Sequence, residues 1–258
     1  MNAPSYLKLG PNEKLAFCTI ASRGEGASAP GVVFLGGLRS DMTGTKALWL
    51  EDWARARGRG FLRLDYRGHG ASSGEFEDFG IGDWVDDAAA AVARLTEGPQ
   101  ILVGSSMGGW IALLLARRMP GRVAGLVGIA AAPDFTEDGM WARFSEAERR
   151  QLMEEGRLAQ PSEYSDEPTV ITRHLIEDGR RHLVLTSELA LPLPVRLLQG
   201  TADADVPYLW ALRLLGHLES PDARLTLVKG ADHRFSGARE LGIIGTTLDE
   251  ITGAIAAG

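Results

Sequence analysis

The chain has 258 residues, 45% hydrophobic and 24% charged, with a formal net charge of −7; this suits one folded core and excludes a disordered polar chain. The acidic balance, with no basic stripe, excludes a nucleic-acid binder, and the longest apolar run, 110–116, is too short for a membrane span. The one cysteine, Cys18, excludes an internal disulfide, and no Cys or His grouping has metal-ligand spacing, so neither a metal nor another cofactor is expected.

In chain order, short apolar β-branched runs alternate with longer helical patterns. Residues 14–20 read as an early strand, in a hairpin with 6–9. Residues 31–35 form an apolar strand that ends at Gly36-Gly37, and 46–57 a helix closed by Gly58. Strand 61–64, the Ala-rich helix 83–95, strand 100–103, helix 107–119 and strand 123–129 follow. After a break come strand 195–198, helix 208–218, strand 224–228 and helix 240–257. The alternation predicts an α/β fold, a mostly parallel central sheet with helices on both faces.

The break covers about 134–193, where no strand of the parallel type is expected. Helical patterns at 145–155 and 169–177 sit among Pro161, Pro168, Pro192 and Pro194. Such an insertion reads as a helical cap (134–193) on a core made of 1–133 and 194–258, placed over the C-terminal ends of the strands.

The pattern G-x-S-x-G occurs twice, at Gly104, Ser106 and Gly108 and at Gly70, Ser72 and Gly74. The chemistry needs a serine on a tight turn between a buried strand and a helix, with the next backbone N–H at the helix N-terminus. Ser106 has that setting. Ser72 follows a polar loop and leads into acidic residues, so it reads as a support for the site; Ser105 reads as a turn residue pointing away.

A serine hydroxyl needs a base, and the base needs a carboxylate to fix its tautomer. His233, in the loop after strand 224–228, fits the base. His217 sits near a helix end, where capping or surface roles are ordinary; His174 and His182 fall in the insertion, and His69 precedes the nucleophile. Asp203, in the loop after strand 195–198, fits the acid, with Asp205 and Asp134 as alternatives. Asp232, adjacent to His233, is badly placed to orient it. The oxyanion needs two donors: the N–H of Met107 and, from the Gly-rich turn after strand 31–35, the N–H of Leu38. In the insertion Phe135, Met140, Trp141 and Phe144 have a spacing that suits helix packing or the wall of an acyl pocket. Arg39 could meet an anionic group of the substrate or form a surface salt bridge.

Gly36-Gly37, Asp65-Tyr66-Arg67-Gly68-His69-Gly70-Ala71-Ser72, Gly104-Ser105-Ser106-Met107-Gly108-Gly109 and Gly200-Thr201-Ala202-Asp203 resemble the serine α/β-hydrolases. The His-Gly usual in the family's oxyanion loop is Gly36-Gly37 here, which removes a side chain but not the donor N–H. Met42-Thr43-Gly44-Thr45-Lys46-Ala47, the run from Gly98 through Val103 into Ser106, Gly108-Gly109-Trp110 and Asp232-His233-Arg234 are similar, from about Pro30 to the C-terminus, to the branch of the mitochondrial palmitoyl-protein thioesterase and mycophenolic acid acyl-glucuronide esterase. The resemblance implies Ser106, Asp203 and His233 as a triad and hydrolysis of acyl esters or acyl thioesters through an acyl-enzyme. The expected partner is a small-molecule or acylated substrate; no sequence feature sets an oligomeric state. Rival readings keep the triad but cleave amide or C–C bonds or perform perhydrolysis, or make the protein a non-catalytic ligand binder. Residues 1–10 carry no signal or transit pattern, so a cytoplasmic location is expected.

Overall fold

The computed structural model describes residues 3–161 and 168–257. Strands β1 (Ser5–Lys8) and β2 (Lys14–Ile20) form the expected antiparallel hairpin. They lead into β3 (Gly31–Leu35), α1 (Thr45–Ala56), β4 (Phe61–Leu64), α2 (Ile81–Leu95), β5 (Gln100–Ser105), α3 (Met107–Arg118) and β6 (Val123–Ile129). A π-helical turn (Phe135–Met140) precedes α4 (Glu146–Glu155), β7 (Arg157–Gln160), β8 (Thr169–Thr172), α5 (Arg173–Arg181) and β9 (Leu189–Ala190). The chain closes with β10 (Val195–Gly200), α6 (Tyr208–His217), β11 (Leu218–Glu219), β12 (Ala223–Val228) and α7 (Ala238–Ala257).

Eight strands make one sheet in the order β1-β2-β4-β3-β5-β6-β10-β12. β2 runs antiparallel to β1 and β4, and the pairs from β4 across to β12 are parallel. Alternate residues of a strand face opposite sides, and here both sides are covered. Val33, Leu35, Leu62 and Leu102 join the core under α2 and α3; Val32, Phe34, Phe61 and Ile101 join the core under α1 and α7. That is why the central strands read as continuous apolar runs rather than alternating ones.

Two expectations for residues 134–193 need correction. Residues 169–177 are not one helix: 169–172 form β8, antiparallel to β7, and the helix begins only at Arg173. The β-branched Thr-Val-Ile-Thr run prefers the extended ladder, and Thr172 then caps α5 by accepting from the Leu175 N–H at 3.1 Å. A parallel strand is also present, since Leu189–Ala190 pairs parallel with Leu218–Glu219 outside the main sheet. Residues 162–167, within the same segment, lie outside the described residues.

Candidate active site

The turn carrying Ser106 is built by strand, strain and close approach. β5 is buried throughout, and α3 starts at the next residue. Ser106 has φ 54° and ψ −118°, a conformation that costs a non-glycine residue about 1–3 kcal/mol and persists only when its surroundings hold it. They do: its N–H donates to Ile129 O at 2.9 Å, and its carbonyl accepts from the Gly109 and Ala132 N–H groups at 2.9 and 3.1 Å. Its hydroxyl is not spent on capping α3. Met107 is the first residue of that helix, so its N–H is among the donors a helix leaves unpaired. Ser105 is buried at the end of β5.

β10 and β12 are parallel neighbours, and their following loops bring the acid and base together. His233 Nδ1 lies 2.9 Å from Asp203 Oδ2. The Asp203 side chain is fully buried, whereas the His233 ring keeps 20% of its surface exposed. Asp203 Oδ1 accepts from the Asp205 and Val206 N–H groups at 3.0 and 2.8 Å, and Oδ2 also accepts from Gln199 Nε2 at 2.8 Å. Burial pushes the Asp203 carboxyl up, but the hydrogen bonds from His233, Val206 and Gln199 outweigh it and hold the group below its ordinary value. Ligand atoms of Asp203, Asp205 and His233 lie within 4.8 Å of one another. The Asp203 oxygens are already occupied by donors, which suits an acid–base pair better than a cation site. No hydrogen bond joins Ser106 to His233 among the described residues.

The alternatives for the acid are held differently, Asp205 beside the pair and Asp134 at the start of the insertion. Asp134 is buried and accepts from the Val184 and Leu185 N–H groups, both at 2.8 Å, so it ties down the start of the insertion. Asp205 contributes its backbone N–H to Asp203. Asp232 accepts from the Phe235 N–H at 3.1 Å, shaping the His233 loop from within. His217 bonds Arg213 O on its own helix.

The Gly36–Leu38 turn lies over the nucleophile: a methyl placed on Gly37 would stand 3.5 Å from Ser106 Cβ. What holds this loop was not visible as a site in the sequence. Asp65 Oδ1 accepts from the Met42 N–H at 2.6 Å and Arg63 donates to Met42 O at 2.8 Å. His69 Nε2 accepts from the Arg39 N–H at 3.0 Å while Nδ1 faces Arg67 O at 3.3 Å, which requires the neutral ring protonated on Nδ1. Burial among Tyr66, Phe76 and Trp84 pushes the His69 pKa down to about 4. Burial likewise pushes Asp65 above its ordinary value, with the Ala71 and Met42 N–H groups pulling the other way. Ser72 donates to Asp65 O at 2.6 Å, a support for this loop. The signal for Asp65, His69 and Ser72 was the run 65–72, in which only Ser72 was read as a support; Arg63 lies outside it. Lys46, on α1, donates to Arg234 O and so reaches the residue after His233; burial pushes its pKa down to about 8.

Phe135, Met140, Trp141 and Phe144 are partly buried and pack against the core on the α2–α3 side of the sheet. Phe135 meets the edge of Trp110, one turn beyond Ser106, at 5.6 Å between ring centroids. Gly139 sits against Trp210 of α6. Trp141 is flanked by the guanidinium groups of Arg149 and Arg180. Arg39 is exposed, has φ 55°, and stacks its guanidinium 4.7 Å above the Phe76 ring. Among the described residues it forms no salt bridge, so the expected surface ion pair is replaced by a cation–π contact.

A family model described as serine aminopeptidase, S33, matches residues 27–178. The rat mitochondrial palmitoyl-protein thioesterase ABHD10 is 33% identical over 251 residues, covering 96% of this chain and 82% of that one. The chain belongs to the α/β-hydrolases. It is a serine hydrolase by family. Among solved structures, a putative hydrolase from Agrobacterium vitis S4 superposes with a TM-score of 0.90 at 41% identity, over 96% of this chain and 97% of that one. The α/β hydrolase domain-containing protein 10 from mouse gives a TM-score of 0.89 at 31% identity, over 98% and 100%. The expected cytoplasmic location is overturned by the palmitoyl-protein thioesterase relatives, which are named as mitochondrial; nothing about residues 1–10 decides the matter. Among the described residues no helix is long and apolar enough to cross a membrane.

Proposed function

We propose that Ser106, His233 and Asp203 form a catalytic triad that hydrolyses acyl esters or acyl thioesters. The observation that carries this reading is the buried Asp203 carboxylate bonded to His233 Nδ1, on loops that leave the same edge of the sheet as the strained Ser106 turn. In that reading His233 Nε2 takes the Ser106 proton as Oγ attacks the acyl carbonyl. The Met107 and Leu38 N–H groups hold the oxyanion. Collapse of the tetrahedral intermediate expels the alcohol or thiol, protonated by His233. Water, deprotonated by the same imidazole, then releases the acid and restores Ser106.

Residues 134–193 act as the cap. The π-helical turn supports this by touching the first turns of both α3 and α6, the helices that follow the nucleophile and the acid loop. Phe135, Met140, Trp141 and Phe144 form the apolar wall for the acyl chain, and Arg39, at the mouth of the oxyanion loop, meets an anionic group. Amide hydrolysis is the second reading, favoured by the description of the matching family as an aminopeptidase.

A panel of acyl ester, acyl thioester and aminoacyl amide substrates separates these readings, with a fluorophosphonate mapped by mass spectrometry. Label on Ser106, turnover of oxo- and thioesters, and a loss in kcat on the order of 10⁴ or more for Ser106→Ala are expected. Turnover confined to amides would move the function to the second reading. Near-normal activity of Ser106→Ala would remove Ser106 from the chemistry.

A further inference from the structure

Gln199 presents an anomaly. It is the penultimate residue of β10 and fully buried. Its Nε2 donates to Asp203 Oδ2 at 2.8 Å, to Val206 O at 2.9 Å and more weakly to Gly200 O at 3.3 Å. Among the described residues its Oε1 is buried with no partner. A carboxamide can normally be turned over to improve its bonding, but here rotation would set Oε1 against three oxygens. The orientation is therefore forced by the acceptors. An orphaned buried acceptor loses its hydration without recovering a bond, and a strand end in an apolar layer could hold leucine or methionine without that cost. Native structures leave few such groups, and each calls for a reason. The reason lies on the other side of the amide, at the carboxylate oxygen that faces the imidazole.

We infer that Gln199 is a positioning residue of the hydrolytic site, fixing the Asp203 carboxylate and drawing charge from the oxygen that binds His233. The inference rests on Asp203 being the triad acid, as proposed above. Among the described residues Asp203 has four donors, two on each oxygen. The two on Oδ1 are backbone groups of its own loop and move with it. Gln199 is the donor that comes from the sheet, so it alone ties the carboxylate to the rigid strand. It also shares Oδ2 with His233. A carboxylate oxygen that accepts a second hydrogen bond is a weaker base, and it stabilises the imidazolium less. Gln199 thus limits how strongly His233 holds the proton that it must later give to the leaving group.

Gln199→Met keeps the volume and removes the donor. Asp203 becomes more basic, the imidazolium is stabilised, and the acid limb of kcat/KM moves to higher pH by about half a unit. kcat falls about tenfold with KM unchanged, and the His233 Nδ1 proton moves downfield in the NMR spectrum. A merely structural glutamine would give a fall in Tm with the acid limb and that proton unmoved, and this result overturns the inference. Should Gln199→Met fail to fold, Gln199→Glu carries the test. Its protonated carboxyl supplies one donor, so the variant is active only while that proton is held, and its profile gains a second step. A profile identical to wild type overturns the inference. Asp203→Asn, assayed in parallel, separates the two assumptions: near-normal activity there rejects Asp203 as the acid, whereas inactivity there with an unshifted Gln199→Met rejects Gln199 alone.

Discussion

At the scale of single residues, the glycines around Ser106 are set by contact distance. A Cβ on Gly108 would stand 2.0 Å from Leu35 O and 2.6 Å from Gly36 O, and one on Gly104 would stand 2.3 Å from Gly108 O. The motif therefore works as a spacer that lets α3 press against the end of β3. Gly108→Ala should cost about 2 kcal/mol or more as the backbone yields. It should lower kcat as well, because the displaced carbonyls belong to the turn that supplies Leu38. Urea unfolding and steady-state kinetics on one sample check both effects; unchanged values would mean that the turn is softer than its packing indicates. His69 makes a second residue-scale test. Its pKa is near 4 in the fold against 6.5 outside it. Between those values the unfolded chain binds a proton that the folded chain refuses. Stability is thus lost as pH falls through that window, by roughly 3 kcal/mol at the acid end. The difference in unfolding free energy between wild type and His69→Gln should shrink or invert from pH 6.5 to pH 4. A constant difference would mean that the ring protonates as easily in the fold as in the unfolded chain.

At the scale of elements, the parallel strands were legible because both of their faces are buried, and the helices because Gly and Pro punctuate them. Strand β3 falls at the expected residues, and α2 begins two residues early, at Ile81. There the Asp83 carboxylate accepts from the Gly80 N–H at 2.9 Å and closes the helix around its first turn. Residues 169–177 misled because an i, i+3, i+4 pattern continues through Thr-Val-Ile-Thr into α5. Periodicity alone cannot find where a ladder ends and a helix starts. The strand-to-helix turn at Ser106 and the pairing of His233 with Asp203 were legible from order and context. Gln199, Asp65 and Lys46 were not, since each acts through a partner distant in sequence or hidden in a turn. Asp134 was misplaced as a possible acid for a related reason: its use depends on the Val184 and Leu185 N–H groups, 50 residues away. Its φ of 59° suits asparagine too, so Asp134→Asn tests the charge with little backbone strain. One amide loses its acceptor, at a cost of about 2 kcal/mol. Hydrogen exchange at Val184 and Leu185 should quicken more than exchange in β5. Uniform acceleration across the chain would mean that the segment has no independent opening.

At the scale of the whole molecule, the loops after β3, β5, β10 and β12 all leave the same edge of the sheet. They come from both sides of the insertion, and the sheet's own ladder cannot set the spacing of loops that extend beyond it. The layer of α1 and α7 supplies part of that spacing. Gly245 of α7 lets Trp49 of α1 approach closely, Arg57 bonds both oxygens of Asp249 at 2.8 and 2.7 Å, and Lys46 reaches Arg234 O. Phe235, next in the chain, is fully buried at φ 47°, so the His233 loop is anchored on one side by an apolar plug and on the other by an ammonium. Lys46→Met removes only the second anchor. The plug and the Asp203 bond keep the loop folded, so Tm should change little. The imidazole should sample wider positions, and kcat should fall about tenfold at constant KM, since misplacing a catalytic group by a fraction of an ångström acts on the transition state. Lys46→Arg, which retains a long cationic donor, should recover part of the loss. A wild-type kcat in Lys46→Met would mean that the sheet and the plug alone set the base, and that the α1–α7 layer stabilises the fold without tuning the site.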